Sequence, residues 1–497
     1  MTFGKFRQSE NLFRHAAAES ASVKAKVSRS LKLSIGDEFL KKTKIICTIG
    51  PASLSKATLQ KMFRSGMNGA RINTAYGTLD QYGDMIETIR GVADIPVIVD
   101  IKGPEIRLRV KGKRAVKEGD VLEAGFKDES ISFSRNFCDG VGVGDNIFVD
   151  NGKLRLRVAE KRKNILKLTV LTAGEMEDRK GVNIPYKTLT VPTLSSRDRE
   201  ILSLAKEKDI EFIALSFTRN VRDVENLKKA AHGCKGAIIA KIENFEGVNN
   251  FNDILEAADG IMVARGDLGV EIEPERVPLV QKSIIKQCNQ RGKTVVTATE
   301  MLESMMHNPI PTRAEVSDVA NAILDGTEVT MLSGETAVGQ YPVEAVSMMS
   351  RIAVETEKAI KNHVEDEGFI NISDTISRAI QRICQEMPVN KVVTLTRSGY
   401  TAKMISRFKI TQPILAVTPD ARVKRQLELA SGVSPVHLDY REENDRILTV
   451  AKRLGTSGLI NDKDTILFTA AFRTSRKHAS NLIEIHKLKE LKNFAPE

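Results

Sequence analysis

The sequence predicts an α/β protein built on a closed (β/α)8 barrel, and two regularities support this fold. Eight apolar runs rich in Val and Ile recur along the chain, in most cases with one amphipathic helical pattern between them. Their starts lie 23 to 34 residues apart with one exception, a spacing typical of barrels that carry functional groups at the carboxyl ends of their strands. The runs are KIICTIG from Lys44, GARIN from Gly69, PVIVDI from Pro96, FIALSF from Phe212, AIIAKIE from Ala237, GIMVARG from Gly260, TVVTATE from Thr294 and EVTMLSG from Glu328.

The exception is the 116-residue interval between the third and fourth runs. Instead of one helix it contains short alternating segments separated by turns, which predict a small β domain inserted into the barrel. These segments are VLEAGF, SISFS, NIFVDNGKLRLRV and NILKLTVLTAG. After about Glu355, strand-like segments alternate with helical ones again and predict a third, α/β domain. Those strand-like segments are KVVTLTRSG, PILAVTPD, SPVHLDY and TILFTAAF.

A chain of 497 residues is longer than one hydrophobic core usually supports, so a division into domains fits its length. We expect a leader at 1–41, a barrel domain at 42–103 and 193–355, an inserted β domain at 104–192 and a carboxy-terminal α/β domain at 356–497. The leader is basic and rich in Ser and Ala, as transit peptides are, but four acidic residues interrupt it. We therefore expect a cytoplasmic protein, with an organellar leader as the alternative.

The composition argues against several classes of protein. No run approaches the ~18 apolar residues that a membrane span needs. The five cysteines are scattered and form no CxxC motif, which predicts free thiols in a reducing compartment. Residues 371 to 497 hold 21 Lys and Arg against 13 Asp and Glu, a difference of +8. This domain has no Trp and no recognisable nucleic-acid module, so we expect it to meet anionic metabolites or other subunits.

Three charged residues fall at the ends of neighbouring barrel runs. Lys241 and Glu243 are two residues apart in AKIENFEG, so on a strand they project from the same face. Asp267 follows the next apolar run. A cation and two carboxylates that meet at one edge of a barrel would form a seat for a divalent metal, and they predict phosphoryl-transfer chemistry.

Longer strings of the chain resemble the pyruvate kinase family, from about Lys42 to about Asp420. They are MVARGDLGVEI, TRAEVSDVANAILDGTEVTMLSGETA, ATEMLESM, CTIGPAS, GMNGARIN, DIKGPEIR, VDNGKL and KGVNIP. The resemblance implies a TIM barrel with an inserted β-barrel lid and a carboxy-terminal α/β domain, usually assembled as a homotetramer. It also implies transfer of the phosphoryl group of phosphoenolpyruvate to ADP, which gives pyruvate and ATP.

The resemblance further implies roles for the charged residues. Glu243 and Asp267 would bind Mg²⁺, which prefers carboxylate and water oxygens. Lys241 would stabilise the migrating phosphoryl group and the enolate oxygen, and Arg71 would clamp phosphate through its planar guanidinium. The nucleotide would contact Arg71, Arg107 and Lys180.

Residues at later strand ends would complete the substrate site. The peptide N–H groups of Gly266 and Asp267, at the start of a helix, would donate hydrogen bonds to the substrate carboxylate. Thr299 would contact that carboxylate and, through water, help to protonate the enolate, with Ser333 and Glu335 as a proton relay. Ordinary strand-end hydrogen bonds are the alternative explanation of Thr299 and Ser333.

The chain departs from the family pattern where a potassium ion is expected. In the family the second strand ends in Asn-Phe-Ser-His, and the Ser hydroxyl joins Asn, Asp and a backbone carbonyl around K⁺; here Ala75 stands in place of that Ser. Asn73, Asp100 and the Ile101 carbonyl remain, and Glu105 matches members that need a monovalent cation. We expect K⁺ to bind through a weaker or water-completed shell, or the dependence on K⁺ to be lost.

Two further substitutions and one looser likeness affect other contacts. Tyr76 replaces His and Glu300 replaces Gln, which changes the nucleotide contacts and the local charge. TRSGYTAKMISRF resembles the phosphate loop in which many family members hold sugar-phosphate effectors, although an ordinary turn before a helix has the same composition. The loop residues concerned are Thr396, Ser398, Gly399 and Thr401.

Two other functions remain open at this stage. The changes at Ala75 and Tyr76 are compatible with a catalytically weak metabolite sensor or scaffold that binds substrate without turnover. A Mg²⁺-dependent aldolase or lyase would share Glu243 and Asp267, but it would need neither Lys241 nor an inserted domain over a nucleotide. Phosphoenolpyruvate, ADP or ATP and pyruvate are the expected partners, with a phosphorylated effector, no nucleic acid and no membrane.

Overall fold

A closed barrel of eight parallel strands forms the centre of the computed structural model, which describes residues 41–127, 129–360, 371–440, 445–471 and 480–493. The barrel strands are β1 (Lys44–Thr48), β2 (Gly69–Asn73), β3 (Val97–Ile101), β13 (Phe212–Leu215), β14 (Ala237–Ile242), β15 (Gly260–Ala264), β16 (Thr294–Ala298) and β17 (Val329–Leu332). Each strand pairs with its sequence neighbour, and β1 pairs with β17 to close the ring. The predicted barrel is confirmed.

The apolar runs have become strands that are buried on both faces. Every residue of β1, β3, β15 and β16 is buried, because a parallel barrel strand lies between the filled interior and the ring of helices. Capping boxes open three of the ring helices, at Thr78, Ser195 and Thr312. The helices of this domain are α1 (Lys56–Arg64), α2 (Leu79–Val92), α3 (Ser196–Glu207), α4 (Val221–Ala230), α5 (Phe245–Asn249), α6 (Phe251–Ala257), α7 (Arg265–Glu271), α8 (Val277–Gln290), α9 (Arg313–Leu324), α10 (Gly334–Ala337) and α11 (Pro342–Glu357).

The segment between β3 and β13 contains the predicted inserted β domain with its own hydrophobic core. One antiparallel sheet has the order β12-β8-β9-β10-β6, and the strands β4 with β7 and β5 with β11 form separate pairs. The ladders of the described residues thus form one sheet and two pairs, so the expected barrel shape of this domain stays a prediction. Its strands are β4 (Leu108–Val110), β5 (Arg114–Val116), β6 (Val121–Ala124), β7 (Ile131–Phe133), β8 (Asn146–Val149), β9 (Leu154–Arg162), β10 (Ile165–Val170), β11 (Gly174–Met176) and β12 (Val182–Asn183).

The carboxy-terminal domain is an α/β unit, as predicted. Its sheet has the order β20-β19-β18-β21-β22, in which β22 is antiparallel to β21 and the other pairs are parallel. The strands are β18 (Lys391–Leu395), β19 (Ile414–Thr418), β20 (Val433–His437), β21 (Thr465–Ala470) and β22 (Leu482–Lys487). The helices are α12 (Ile372–Glu386), α13 (Tyr400–Ser406), α14 (Ala421–Leu427), α15 (Arg446–Thr456) and α16 (Leu488–Asn493).

Two expectations about the domains stay predictions. The predicted leader, 1–41, lies outside the described residues apart from Lys41. The exact domain boundaries also stay predictions. Among the helices that the structure describes, none combines the length and apolar character needed to cross a membrane.

Candidate active site

The three charged residues singled out in the sequence meet at the carboxyl end of the barrel. Lys241 lies in β14 and Glu243 follows its last residue, so both side chains project to one side; Lys241 Nζ is 2.9 Å from Glu243 Oε1. Asp267 lies in the first turn of α7, immediately after β15. Burial raises the pKa of Asp267 to about 7, and the nearby charge of Glu243 adds to this effect. The two carboxylates therefore share one region of low polarity.

Lys241 is surrounded by acceptors. Its ammonium group donates to Ser216 Oγ at 2.7 Å and lies 3.2 Å from Asp100 Oδ2, in addition to its contact with Glu243. Burial alone lowers the pKa of Lys241, but the carboxylates of Asp100 and Glu243 outweigh this effect and hold the pKa above its ordinary value. Lys241 therefore carries a full positive charge at neutral pH.

Asp100 connects this lysine to Arg71. Arg71 Nε donates to Asp100 Oδ2 at 2.7 Å, and Arg71 Nη1 donates to Thr48 Oγ1 at 2.9 Å. Burial favours the neutral form of Asp100, yet Lys241 and Arg71 together hold its pKa below the usual value. Two cations that sequence reasoning treated separately are thus joined through one buried carboxylate.

A divalent cation fits the donor set of this cluster. Glu243 and Asp267 supply hard carboxylate oxygens, and burial raises the pKa of both groups, which a bound cation would reverse. Within the described ranges, no three Asp, Glu, His or Cys side chains are arranged to hold a metal ion. Mg²⁺ commonly takes one or two protein carboxylates and completes its shell with water and substrate phosphate, so two carboxylates suit it.

The predicted carboxylate site contains a strained turn that sequence reasoning did not reveal. Gly266 N–H donates to Thr299 Oγ1 at 2.9 Å, while that hydroxyl donates to Ala298 O at 2.6 Å. Thr299 and Glu300 have positive φ values of 65° and 52°, which L residues rarely adopt. Thr299 thus contacts the helix start where the substrate carboxylate is expected.

Arg265 holds this turn in place. Its Nη2 donates to Thr299 O at 2.7 Å and to Glu300 O at 2.9 Å, and its Nη1 contacts Asp318 Oδ2 at 2.6 Å. The sequence places Arg265 at the end of the apolar run GIMVARG, but only the fold brings the next strand's turn and α9 around it. Ser216 was missed for the same reason, although its place at the end of FIALSF was a signal.

The proposed proton relay is held by backbone contacts. The buried carboxylate of Glu335 accepts hydrogen bonds from Ser333 N–H at 2.7 Å and from Leu302 N–H at 3.1 Å, and burial raises its pKa. These bonds orient the start of α10. A relay through Ser333 and Glu335 stays a prediction.

The expected K⁺ ligands accept hydrogen bonds from other groups of the protein. Asn73 Oδ1 accepts from Ala75 N–H at 3.1 Å, and Ile101 O accepts from Ser216 N–H at 3.1 Å. The Asp100 carboxylate is bonded as described above, and its carbonyl accepts from Thr74 Oγ1 at 2.7 Å. The oxygens of Asn73, Asp100 and Ile101 remain able to accept a further contact, since each carries more than one lone pair.

Where the nucleotide is expected, the structure has a cavity of about 790 Å³ between the end of β2 and the inserted domain. Arg107 and the exposed ring of Tyr76 line it, with several more basic side chains and few acidic ones. Arg107 Nη2 lies 2.5 Å from Glu105 Oε1. Lys180 Nζ is 3.2 Å from Glu177 Oε2 and 3.3 Å from Asp150 Oδ1. The other basic residues that line the cavity are Lys102, Arg109, Lys111, Lys127 and Arg179.

The predicted phosphate loop forms a compact turn before α13. Gly399 has a φ of 80° and its N–H donates to Thr396 Oγ1 at 2.9 Å. Tyr400 N–H donates to Ser398 Oγ at 3.4 Å, and the Thr401 hydroxyl lies 2.9 Å from that of Ser480. These contacts fit both alternatives, an effector loop and an ordinary turn, and the effector site stays a prediction.

Comparisons with known proteins agree on one family for most of the chain. The family model described as the barrel domain of pyruvate kinase matches residues 40–346, and the model of its alpha/beta domain matches residues 374–486. A pyruvate kinase of Geobacillus stearothermophilus is 42% identical over 475 residues, which cover 91% of this chain and 81% of that protein. A pyruvate kinase of Staphylococcus epidermidis is 40% identical over 471 residues, with coverages of 90% and 80%.

A solved structure supports the same assignment. The crystal structure of a pyruvate kinase from Cryptosporidium parvum superposes on this chain with a TM-score of 0.82 and 33% identity. The match covers 90% of this chain and 96% of the crystallised one.

Proposed function

The chain belongs to the pyruvate kinase family of phosphotransferases, and on that premise we propose how its residues transfer the phosphoryl group of phosphoenolpyruvate to ADP. The observation that carries the proposal is the meeting of Lys241, Glu243 and Asp267 at the carboxyl end of the barrel. In phosphoryl transfer, catalysis is mainly the positioning of reactants and the neutralisation of negative charge. This cluster supplies both.

Lys241 is the cation at the reacting centre. Ser216, Asp100 and Glu243 fix its ammonium group, so little reorganisation is needed when negative charge moves toward the enolate oxygen. The same carboxylates keep it protonated. Arg71, oriented by Asp100 and Thr48, would clamp the phosphoryl oxygens through its guanidinium plane.

The family uses divalent and monovalent cations. Glu243 and Asp267 would hold Mg²⁺, which when bound would reduce the repulsion between two anionic substrates. Gly266 N–H, which donates to Thr299 Oγ1 in this structure, would instead donate to the substrate carboxylate at the start of α7. Thr299 would then be placed to pass a proton through water to the enolate carbon. Ser333 and Glu335 would relay that proton to Thr299.

ADP would occupy the cavity between β2 and the inserted domain. Arg107 lines this cavity, and its guanidinium suits a diphosphate. Lys180, on the inserted domain, would add a second cation when the nucleotide replaces its present carboxylate partners, Asp150 and Glu177.

We also propose that the protein forms a homotetramer and binds a phosphorylated effector at Thr396 to Thr401. Sedimentation tests the oligomeric state, and effector titration at subsaturating phosphoenolpyruvate tests the effector site.

The function is tested by pyruvate formation from phosphoenolpyruvate and ADP with Lys241→Met. We expect kcat to fall by about three orders of magnitude or more, because charge that develops in a dry site loses its partner. Lys153→Met, which alters an exposed lysine of the inserted domain, is the control and should leave kcat unchanged. If the wild-type protein binds phosphoenolpyruvate without turnover, the result would favour the metabolite sensor or scaffold instead. A kcat for Lys241→Met within tenfold of wild type would exclude the proposed catalytic role of Lys241.

The monovalent site is tested by Ala75→Ser, which restores a hydroxyl oxygen beside Asn73. We expect the half-activating K⁺ concentration to fall several-fold in this variant, because a protein oxygen replaces a water in the shell. Rates are compared in K⁺ and in tetramethylammonium at constant ionic strength. Equal wild-type rates in both salts would show that K⁺ does not activate this enzyme.

A further inference from the structure

Two backbone segments connect the inserted domain to the barrel, and one arginine side chain touches both. Arg135 follows β7 in the inserted domain. Its Nη2 donates to Gly103 O at 2.6 Å and its Nε donates to Glu105 O at 3.0 Å, both on the outgoing segment. Its Nη1 donates to Pro192 O at 2.9 Å on the returning segment. A single planar group thus sets the separation of the two connections.

Arg219 makes the matching contacts from the barrel side. Its Nη1 donates to Leu189 O at 2.7 Å and its Nη2 donates to Val191 O at 2.9 Å. Asp223 fixes the guanidinium through Nε at 2.9 Å and Nη2 at 2.7 Å. The returning segment is therefore held from both domains, by Arg219 on one side and by Arg135 on the other.

The space between the two connections is only partly filled, although Ile106 and Val191 are buried in the core of the inserted domain. A cavity of about 50 Å³ separates the outgoing segment near Glu105 from the returning segment at Leu189 and Val191. Gly103 has a φ of 58°, and a Cβ there would lie 2.4 Å from Ser216 O, so this bend requires glycine. Arginine-to-carbonyl hydrogen bonds can be exchanged with water, so they orient the two segments without locking them.

The contacts of Arg135 extend to the nucleotide cavity through its neighbour. Arg107 N–H donates to Ser134 Oγ at 2.8 Å, and Ser134 N–H donates to Arg107 O at 2.8 Å. This reciprocal pair fixes the backbone of Arg107, which lines the cavity. A displacement of Arg135 would therefore move Ser134 and Arg107 with it.

We propose that Arg135 and Arg219 form a hinge clasp that sets the angle of the inserted domain over the nucleotide cavity, and that Arg135 is a positioning residue for Arg107. The inference rests on the proposed function in one respect, namely that ADP binds in this cavity. It assigns a role in nucleotide binding to a residue that does not line the cavity. The clasp should matter little for phosphoenolpyruvate, whose proposed ligands all belong to the barrel.

The test uses the full chain with Arg135→Ala, Arg135→Lys and the control Arg162→Ala. Arg162 is an exposed arginine of the same domain, paired with Glu160 only on the surface. Three quantities are measured: the KM for ADP, the dissociation constant of phosphoenolpyruvate with Mg²⁺ by calorimetry, and amide hydrogen exchange of residues 103–107 and 189–192. Hydrogen exchange reports the local opening of the connections.

For Arg135→Ala we expect the KM for ADP to rise about tenfold and exchange in both segments to quicken at least tenfold, with phosphoenolpyruvate affinity within twofold of wild type. Arg135→Lys should be intermediate, since one ammonium group cannot reach three carbonyls in a plane. Arg162→Ala should match wild type. If Arg135→Ala does not fold, Arg135→Lys is judged by the same criteria.

An unchanged KM for ADP would overturn the inference, because Arg135 would then play no part in nucleotide binding. A loss of phosphoenolpyruvate affinity as large as the rise in the KM for ADP would also overturn it, because Arg135 would then stabilise the protein in general. A wild-type protein without turnover would refute the proposed function but not the clasp. In that case ADP affinity by calorimetry replaces the KM, and the exchange rates still decide whether Arg135 holds the hinge.

Discussion

At the scale of single residues, the site is organised around carboxylates that serve as supports for cations. Asp100 bonds to Arg71 and Lys241, and Ser216 donates to its other oxygen at 2.9 Å. A buried carboxylate with two cationic partners stays ionised, which in turn keeps Lys241 charged. Removal of Asp100 would thus affect both cations at once.

Glu271 is a buried acid of a different kind and makes stability depend on pH. It accepts from Asn183 Nδ2 at 2.9 Å, but burial outweighs its hydrogen bonds and raises its pKa to about 7. In the unfolded chain the pKa of this group is about 4.5, so between about pH 4.5 and pH 7 the unfolded state ionises and the folded state does not. The folded state therefore loses stability as the pH rises through this range, and it regains none above it. Glu271→Gln should remove this pH-dependent loss, which is on the order of 2 kcal/mol between pH 5 and 8.

The measurement is the Tm of both proteins from pH 5 to 8. Whatever the amide does to overall stability, wild-type Tm should fall relative to the variant as pH rises. A difference in Tm that stays constant across this range would show that Glu271 has an ordinary pKa.

The sequence alone could predict the residue pairs that depend on local geometry. Lys241 and Glu243 share a face because they are two residues apart on a strand. Asp100 and Lys241 are 141 residues apart, and their contact depends on β13 lying between β3 and β14. Ser216, at the end of β13, joins them for the same reason. Such contacts depend on strand register, which the hydrophobic pattern does not specify even where it predicts the barrel and its strand order.

At the scale of elements, the turn after β16 shows how one helix start positions another strand's end. Thr299 is β-branched and has a φ of 65°, a conformation that costs roughly 1 to 3 kcal/mol and persists only where its surroundings impose it. Arg265, the first residue of α7, imposes it through two backbone carbonyls. The helix that carries Asp267 and the turn that carries Thr299 therefore form one unit.

Arg265→Lys tests this unit. A lysine cannot donate to Thr299 O and Glu300 O while also pairing with Asp318, so the turn should relax and displace the Thr299 hydroxyl. We expect kcat/KM for phosphoenolpyruvate to fall about 100-fold, while Asp318→Asn, which keeps an acceptor for Arg265, should cost less than tenfold. A kcat/KM for Arg265→Lys within threefold of wild type would mean that the turn holds its shape without the arginine.

Elements were predictable where their apolar pattern was long or repeated. All eight barrel strands come from the predicted apolar runs, since strands buried on both faces need a largely apolar sequence. The short strands β4, β5, β11 and β12 were missed, because two or three residues rarely show alternation. The three-residue strand β7 was predicted because the alternating segment SISFS extends beyond its paired residues. The strand β22, LIEIHK, was also missed, because its half-buried residues at the sheet edge give no clear alternation.

At the scale of the whole molecule, the carboxy-terminal domain packs against the barrel end opposite the active site. Glu211, just before β13, is fully buried and accepts from Arg425 Nε on α14 at 2.6 Å. It also accepts from Val97 N–H at 2.9 Å and from Arg90 Nη2 at 3.3 Å. The sequence predicted both domains but not this contact, because its partners are 214 residues apart and belong to separately predicted units.

Glu211→Ala should separate stability from catalysis. The substitution leaves Arg425 without its buried partner and Val97 N–H without an acceptor, and breaking a buried pair from one side costs about 3 to 5 kcal/mol. We expect a lower Tm and faster proteolytic cleavage between the barrel and the carboxy-terminal domain. The active site lies at the other end of the barrel, so kcat at 15 °C should stay within twofold of wild type.

A double variant distinguishes the ion pair from mere loss of packing. If Glu211 and Arg425 stabilise the interface as a pair, Glu211→Ala combined with Arg425→Met should cost less than the sum of the two single changes. Lys113→Ala, which breaks an exposed pair in the inserted domain, should leave Tm unchanged. Additive losses would show that the two residues act independently, and the interface would then depend on its apolar contacts.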